Sequence, residues 1–333
     1  MKGAPRRFTY DSRPVEAPAK YDLELFERLN EEYRDKPVLK PGPRNPAQLQ
    51  GKAGRHMELI MEAFGLRDGF DGATVLELGT GRGWLAHLIA VEGGAEEVIG
   101  VDLATAPEWS EHEDPGLSFM VGDMAADELV APRSVDFVVS TAVFEHIERP
   151  VEMLRAVRRA LRPGGLAWLR FNLYPSAVAS HRYDFINFPW PHLLFDDDVL
   201  HDYLCEHGIR DPARGTEREH RFAWVNAMTV AHYLQGCREI GLDAVSLHRQ
   251  VRAIDVDFYL RFERKLGRYP ALDLETDFAT LVLRKRPRRR GRMSGLRSRS
   301  QGDVRAGYLK RQRRLSRELA SARALLPHSS HAA

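Results

Sequence analysis

Three glycines at alternating positions, Gly79, Gly81 and Gly83, lie between a short apolar stretch and a helix-like one. The apolar residues 74–78 predict a buried strand, and residues 84–91 predict a helix. Glycine lets a ligand approach the backbone closely, and a turn between strand and helix points backbone N–H groups at that ligand. The segment therefore predicts a nucleotide-binding turn at the carboxyl end of a strand in an α/β sheet.

From residue 74 onward, strand-like and helix-like segments alternate, which is typical of a mostly parallel sheet covered by helices on both faces. The predicted strands are Thr74–Leu78, Glu97–Val101, Leu117–Val121, Ser134–Ser140, Leu166–Phe171, Ala244–Gln250 and Phe278–Leu283. The predicted helices are Tyr21–Tyr33, Ala47–Phe64, Trp84–Val91, Pro150–Leu161 and Met228–Ile240. The predicted fold class is therefore α/β.

The same pattern divides the chain into an arm, one domain with two insertions, and a tail. Residues 1–20 lack a hydrophobic period and predict a flexible N-terminal arm. Residues 21–283 form the predicted domain, with an aromatic-rich cap inserted at 172–226 after the fifth strand and a second insertion at 251–277. Residues 284–333 predict a basic, mostly disordered tail.

Charge is distributed unevenly along the chain. The formal net charge is +2, but residues 284–333 hold 16 Lys and Arg against Asp303 and Glu318. Residues 1–283 therefore carry 33 basic and 45 acidic residues, a formal charge of −12. Because phosphate binding depends on clustered Lys and Arg, nucleic acid is expected only at the tail. The alternative is a solvated tail with one candidate amphipathic helix at 308–326, since aromatic residues for base stacking are not interleaved.

Cysteine usage and hydropathy bear on the compartment. Cys205 and Cys237 are the two cysteines, too few for a disulfide framework. No stretch reaches the roughly 20 apolar residues of a membrane span, and the first residues lack the apolar core of a signal peptide. We therefore expect a cytoplasmic protein with no integral membrane segment. The sequence does not predict its oligomeric state.

Five segments, in order between residues 75 and 171, share a further pattern. They are Val75–Gly83, Gly100–Leu103, Val121–Met124, Val135–Ile147 and Leu161–Gly165. Together they resemble the motifs of class I S-adenosylmethionine-dependent methyltransferases. The resemblance implies a Rossmann-like, seven-stranded, mostly parallel sheet and S-adenosyl-L-methionine as the cofactor. Trp84 counts against the alternative of a dinucleotide-binding turn, because that fingerprint needs a small residue at this position.

The resemblance also implies the cofactor contacts. Asp102 would accept hydrogen bonds from the ribose hydroxyls, and Asp123 would receive the exocyclic amine of the adenine beside Met124. The other implied cofactor-binding residues are Glu77, Gly79, Gly81, Gly83, Leu103 and Ser140. Without the resemblance, each acidic residue could equally be a surface acid or a cap on a turn.

Histidines of the predicted cap are candidates for the group that removes a proton from the methyl acceptor. The cap should lie over the carboxyl ends of the strands, where α/β sheets bind ligands. His192 and His181 lie among aromatic residues there and are the leading candidates, followed by His146 in the Glu145-His146 pair. The alternative is that these histidines only pack.

A metal site is not predicted, although five histidines lie in residues 181–220 close to the run Asp196, Asp197 and Asp198. Their spacing does not form a recognised ligand pair, such as two histidines one helical turn apart. Asp196, Asp197 and Asp198 are instead expected to cap a helix that begins near Val199.

The sequence thus predicts an S-adenosylmethionine-dependent methyltransferase that acts on oxygen or nitrogen of a small-molecule, saccharide or lipid-linked acceptor. Ser140-Thr-Ala-Val143 lacks the Asn/Asp-Pro-Pro-aromatic motif of enzymes that methylate base amines, which disfavours a nucleobase acceptor. Two alternatives remain: an RNA-directed methyltransferase anchored by the basic tail, and a non-catalytic S-adenosylmethionine-binding protein.

Overall fold

A single seven-stranded sheet organises the protein. The computed structural model describes residues 21–39, 45–126, 128–209, 222–286 and 301–324, so the predicted arm 1–20 lies outside the described residues. The strands are β1 (Thr74–Leu78), β2 (Glu97–Asp102), β3 (Leu117–Val121), β4 (Val135–Thr141), β5 (Leu161–Phe171), β6 (Leu242–Val251) and β7 (Thr276–Lys285). Their order across the sheet is β3-β2-β1-β4-β5-β7-β6.

The first five strands run parallel, and β7 runs antiparallel to both of its neighbours. The prediction of a Rossmann-like, seven-stranded, mostly parallel sheet is therefore confirmed. The predicted fifth strand began at Leu166, whereas β5 begins at Leu161, because Leu161 also pairs with Val135 before a bulge in the register. Chain order reverses between β1 and β4, which leaves a crevice at the carboxyl ends of these two strands.

Helices cover both faces of the sheet, as predicted. They are α1 (Leu23–Glu32), α2 (Pro46–Phe64), α3 (Trp84–Val91), α4 (Pro150–Ala160), α5 (Pro191–Leu194), α6 (Asp197–Glu206), α7 (Val230–Ile240), α8 (Val256–Arg261), α9 (Glu263–Leu266), α10 (Ala271–Leu274) and α11 (Gln301–Ala324). Apolar side chains of α4 and α7 pack on one face of the sheet, and those of α2 and α3 pack on the other. Among the residues that the structure describes, no helix combines the length and the apolar character needed to cross a membrane.

Local sequence sets the helix ends. The Asn45 side chain caps α2, and Pro46 occupies its first turn, where the missing N–H costs nothing. Thr229 and His232 form a reciprocal capping box at the start of α7. The residue after α7 is Gly241 at φ +78°, a left-handed conformation that glycine adopts readily. These signals explain why predicted and observed helix boundaries differ by only a few residues.

The two predicted insertions and the N-terminal helix α1 share one apolar core, separate from the two faces of the sheet. We call this layer, built from α1, α5, α6, α8, α9, α10 and the loops between them, the cap layer. Phe26 of α1 lies at its centre, with its ring 5.1 Å from that of Phe188, 5.0 Å from Phe195 and 4.8 Å from Tyr203. The cap is thus not one insertion but a layer assembled from three parts of the chain.

Helix α11 contains most of the candidate amphipathic helix 308–326 of the tail and begins earlier, at Gln301, where the sequence indicates disorder. Tyr308 is buried, and its hydroxyl donates to Asp273 Oδ1 at 2.5 Å. Gln312 Oε1 accepts from the backbone N–H of Leu272 at 2.7 Å. Leu319 packs into the cap layer. The apolar stripe of this helix packs on the rest of the domain, so α11 is part of the folded domain.

Asp273 gives the stability of this contact a dependence on pH. Burial raises its pKa to about 7, and Tyr308 and Arg249 offset this only in part. Between about pH 4 and 7 the folded protein keeps a proton that the unfolded chain has lost. This group's contribution to stability is therefore present below about pH 4 and is lost as the pH rises towards 7, by at most about 1.4 kcal/mol per pH unit.

We predict that Asp273→Asn, which keeps an oxygen for the Tyr308 hydroxyl but cannot ionise, removes this loss. The difference in free energy of unfolding between this variant and the wild type should increase between pH 4.5 and 7, by roughly 1–3 kcal/mol in total. Urea denaturation at a series of pH values measures this, with exposed Asp35→Asn as the matched control. A difference that stays constant with pH would contradict the assignment.

Candidate functional site

A cavity of about 490 Å³ opens at the carboxyl ends of the strands, beside the crevice between β1 and β4. Its volume lies in the range of small-molecule sites. The lining residues are Leu78, Gly79, Val101, Asp102, Leu103, Gly122, Asp123, Met124, Ala125, Ala142, Val143, His146, Ile147, Glu148, Arg149 and Met153. They follow four neighbouring strands, so the parallel sheet itself brings them together. We call this cavity the strand-end pocket.

The glycine turn after β1 forms one wall of the strand-end pocket. Gly79, Gly81 and Gly83 have φ values of +68°, +53° and +81°, which only glycine adopts at little cost. A Cβ atom on Gly79 would also overlap the Val143 side chain. On Gly83 it would lie 2.7 Å from the Phe119 ring. Gly79 lines the pocket, whereas Gly81 and Gly83 are not among its lining residues and contribute to the conformation of the turn.

Glu77 supports this turn from inside the protein and does not line the pocket. Its Oε2 accepts from Thr80 Oγ1 at 2.7 Å and from the backbone N–H of Ala86 at 3.0 Å. Burial raises the pKa of Glu77 to about 8, and the nearby Asp102 adds to this rise. The carboxyl group therefore ties the end of β1 to the turn and to the start of α3.

Asp102 ends β2 at the rim of the strand-end pocket, as predicted. Its Oδ2 accepts from the backbone N–H of Gly81 at 2.7 Å, and its Oδ1 accepts from that of Leu103 at 2.7 Å. Each carboxylate oxygen can accept a second hydrogen bond. The carboxylate is thus held in place by the turn and retains the capacity to bind two hydroxyl groups.

Asp123 and Met124 line the same pocket after β3. The Oδ1 of Asp123 accepts from the backbone N–H of Ala125 at 2.8 Å, and its Oδ2 lies 3.5 Å from the Arg149 guanidinium. Met124 is buried and adds an apolar surface. Arg149 is not predicted from sequence, because an arginine just before a helix gives no signal of the strand end that it contacts.

Ser140 lies apart from the strand-end pocket, contrary to the sequence-based expectation. It is fully buried, and its Oγ donates to the Leu78 carbonyl at 3.0 Å. The hydroxyl therefore links β4 to β1 within the sheet. Ser140 matches the sequence pattern because it lies near the end of a strand beside the glycine turn. Its side chain, however, faces the interior of the protein.

Of the three candidate histidines, His146 is the one that lines the strand-end pocket. Its Nδ1 lies 2.9 Å from the Trp224 carbonyl oxygen. Because a carbonyl can only accept, this contact places the proton on Nδ1 and leaves the lone pair on Nε2. The His181 ring packs edge-on against His146, with ring centroids 4.9 Å apart. The predicted cap thus brings His181 against a residue that lines the pocket.

His192 lies in the cap layer and not at the strand-end pocket, which corrects its place as a leading candidate. Its Nε2 contacts the Tyr174 carbonyl oxygen at 2.7 Å, and its ring packs against Tyr174 and Phe222. Burial lowers the pKa of His192 to about 4, so the ring is neutral near pH 7. The aromatic residues that suggested a substrate wall form an apolar core instead.

Glu145 is fully buried behind His146. Neither carboxylate oxygen accepts a hydrogen bond from a residue that the structure describes. Burial raises the pKa of Glu145 to about 7, although nearby backbone N–H groups and Arg170 partly oppose this. A buried carboxyl group that its surroundings satisfy only in part costs free energy, and such groups are concentrated at functional sites.

Residues 76–169 match the family model described as a methyltransferase domain. The ubiquinone biosynthesis O-methyltransferase of Pseudomonas paraeruginosa is 30% identical over 108 residues, which are 31% of this chain and 46% of that protein. The Roseobacter denitrificans protein of the same name is 36% identical over 101 residues, 29% of this chain and 40% of that protein. The chain thus spans less than half the length of these curated relatives.

Among solved structures, an S-adenosylmethionine dependent methyltransferase from Mesorhizobium loti is similar, with a TM-score of 0.45 and 20% identity over 68% of this chain and 96% of that one. Phosphoethanolamine N-methyltransferase 2 of Haemonchus contortus, in complex with S-adenosyl-L-methionine, has a TM-score of 0.45 and 17% identity. That similarity covers 70% of this chain and 53% of the other.

We predict that Gly79→Ala destabilises the protein more than Gly164→Ala does. Both residues have positive φ, but an added Cβ at Gly164 would meet no described atom within 4 Å, whereas at Gly79 it would overlap Val143. The backbone strain of about 1–2 kcal/mol is common to both. Overpacking should cost Gly79→Ala roughly a further 1–3 kcal/mol. Urea denaturation of both variants measures this, and equal losses would contradict the close packing at Gly79.

Proposed function

We propose that this chain is a class I S-adenosylmethionine-dependent methyltransferase that methylates a small-molecule acceptor, because residues 76–169 match the family model described as a methyltransferase domain. The observation that carries the proposal is the Asp102 carboxylate, which is held by the Gly81 N–H at the rim of the strand-end pocket. S-adenosyl-L-methionine supplies an electrophilic methyl group on its sulfonium. The glycine turn, Asp102 and Asp123 are the groups that would hold it.

The order of the strands supports this assignment. The β1 turn, the end of β2 and the end of β3 lie side by side, because these strands are neighbours in the sheet. Adjacent strands are about 4.8 Å apart, so the three ends span roughly 10 Å. That length suits an elongated nucleoside whose amino-acid end lies at Gly79, whose ribose lies at Asp102 and whose adenine lies between Asp123 and Met124.

The acceptor would enter beside His146, at the end of the pocket formed after β4. Methyl transfer requires that the enzyme position the acceptor and, where the acceptor carries a proton, help to remove it. His146 has a lone pair on Nε2 for this task, because its Nδ1 donates to the Trp224 carbonyl. Among the histidines predicted from sequence, it therefore becomes the leading candidate.

Oxygen is the acceptor atom that we favour over nitrogen. Two relatives that match this chain carry the name ubiquinone biosynthesis O-methyltransferase. The acidic body, with its formal charge of −12 over residues 1–283, disfavours RNA as the acceptor. A hydroxylated small molecule, free or attached to a saccharide or a lipid, is the acceptor class that we propose.

We predict that Asp102→Ala weakens the binding of S-adenosyl-L-methionine at least tenfold. The variant removes a charged acceptor for the ribose hydroxyls, and hydrogen bonds to charged groups contribute about 1.5–3 kcal/mol each. Titration calorimetry measures the affinity, with exposed Asp71→Ala, on the segment before β1, as the matched control. An unchanged dissociation constant in Asp102→Ala would refute this cofactor site.

An acceptor screen with isotopically labelled methyl donor tests the activity itself. Pools of phenols, saccharides, lipid-linked hydroxyl compounds, amines and RNA are incubated with the full chain, and labelled products are identified by mass spectrometry. We expect a labelled hydroxyl compound, and turnover should fall roughly 100-fold or more in His146→Gln with unchanged donor affinity. Labelled RNA alone would instead support the tail-anchored alternative, and donor binding without product in any pool would support the non-catalytic one.

A further inference from the structure

Glu145, His146 and His181 converge beside the strand-end pocket. One potential ligand atom from each of them, a carboxylate oxygen or an imidazole nitrogen, lies within 4.8 Å of the other two. Glu145 and His146 come from the short helical turn Phe144–His146 that follows β4, and His181 comes from the cap layer. We call these three residues the Glu–His–His cluster. The sheet and the cap layer must both be folded for it to form.

We propose that the Glu–His–His cluster binds a divalent transition-metal cation at the edge of the strand-end pocket. Two imidazoles and one carboxylate are a ligand set of catalytic zinc and of other divalent metal sites, which keep further positions open for water or substrate. A single ion binds such ligands at about 2.0–2.2 Å, so in tetrahedral geometry their donor atoms are roughly 3.3–3.6 Å apart. The cluster, whose ligand atoms lie within 4.8 Å of one another, therefore needs to contract by about 1.5 Å or less, which side-chain rotation supplies.

The buried carboxyl group of Glu145 is the first independent observation for this proposal. It is 0% exposed, and neither of its oxygens accepts a hydrogen bond from the described residues. The nearby Arg170 directs its guanidinium to Gln250 Oε1 at 2.7 Å and to Thr280 Oγ1 at 3.4 Å. A cation held against Glu145 would supply the partner that a buried carboxylate needs.

The tautomer of His146 is the second observation. Its Nδ1 donates to the Trp224 carbonyl at 2.9 Å, which leaves the Nε2 lone pair for another group. Metal-binding histidines in proteins commonly donate their other ring N–H to a backbone carbonyl or a carboxylate, which fixes the ring and its tautomer. Residue 224 belongs to the chain that returns from the cap, so the cap layer orients this ligand as well as providing His181.

The backbone at His181 is the third observation. Its φ is +51°, a left-handed conformation that only about a few per cent of non-glycine residues adopt, with asparagine, aspartate and histidine over-represented among them. Strain of this kind is concentrated at functional sites, where the surroundings hold a side chain in a required place. Here it holds the His181 ring against that of His146, with centroids 4.9 Å apart.

The inference deepens the proposed function, on which its catalytic consequence rests. A hydroxyl oxygen bound to a divalent cation is more acidic than the free hydroxyl. The acceptor proton would then pass to solvent water, and His146 would act as a ligand and not as a base. The sequence predicts no metal site because no spacing within residues 181–220 forms a ligand pair. The cluster instead joins His181 to Glu145 and His146, which follow β4 and are distant in sequence.

Metal binding to the full-length chain tests the proposal. The protein is treated with chelator, dialysed, and titrated separately with Zn²⁺, Mn²⁺ and Mg²⁺ by calorimetry, with elemental analysis after equilibrium dialysis. We expect one Zn²⁺ or Mn²⁺ per chain and much weaker Mg²⁺ binding, because Mg²⁺ prefers oxygen ligands. Glu145→Gln, His146→Gln and His181→Asn should each weaken binding at least tenfold. Exposed His248→Ala, on the edge strand β6, should leave it unchanged.

The variants are chosen to keep the fold. Asparagine tolerates the left-handed backbone at position 181, and glutamine has the shape of the glutamate that it replaces at position 145. If Glu145→Gln loses its cooperative unfolding transition, His181→Asn and His146→Gln decide the question. Absence of a stoichiometric ion in the wild type, or affinity within twofold of the wild type in His181→Asn and His146→Gln, would overturn the proposal.

A crossed comparison separates this proposal from that of the methyltransferase. Asp102→Ala should lose S-adenosyl-L-methionine and keep the metal, whereas His181→Asn should lose the metal and keep S-adenosyl-L-methionine. Neither measurement requires a known acceptor. Failure of metal binding alone leaves the methyltransferase proposal intact, and failure of donor binding alone leaves the metal site intact.

Discussion

The carboxyl group of Glu77 is the contact on which the rest of the strand-end pocket depends. It accepts from Thr80 in the glycine turn and from the backbone of Ala86 in α3, so that strand, turn and helix are joined by one side chain. The backbone N–H of Gly81 in the same glycine turn donates a hydrogen bond to Asp102 at the end of β2. Two strand ends are therefore aligned before any ligand arrives, which lowers the ordering cost of binding.

The cap layer contacts His146, which lines the strand-end pocket, through His181 and the Trp224 carbonyl. Its aromatic residues bury one another around Phe26 and leave His181 and the carbonyl of Trp224 at its boundary with the sheet. Helix α11 then fastens this layer through Tyr308 and Leu319. Removing residues 286–333 would therefore disturb the core. Any role of the basic tail in binding must for this reason be tested without deleting α11.

Three buried acidic residues differ in the hydrogen-bond partners of their carboxyl groups. Burial raises the pKa of each of them, to about 8 for Glu77 and about 7 for Glu145 and Asp273. Glu77 is hydrogen-bonded by its own motif, and Asp273 receives the Tyr308 hydroxyl. The carboxylate oxygens of Glu145 accept no hydrogen bond within the described residues, and Glu145 alone among the three lies in a cluster with two histidines.

Local sequence signals are enough to predict the sheet, its helices and the strand-end positions of Asp102, Asp123 and Met124. Strand and helix periods and the three glycines are local signals, and parallel strands necessarily bring their carboxyl ends to one edge. Which other polar residues face the pocket depends on packing between segments that are distant in sequence. Ser140 and His192 match the same patterns yet lie inside, and Arg149 reaches the pocket without a pattern. His181 meets Glu145 and His146, and α11 joins the core, through packing between distant segments, which no local period encodes.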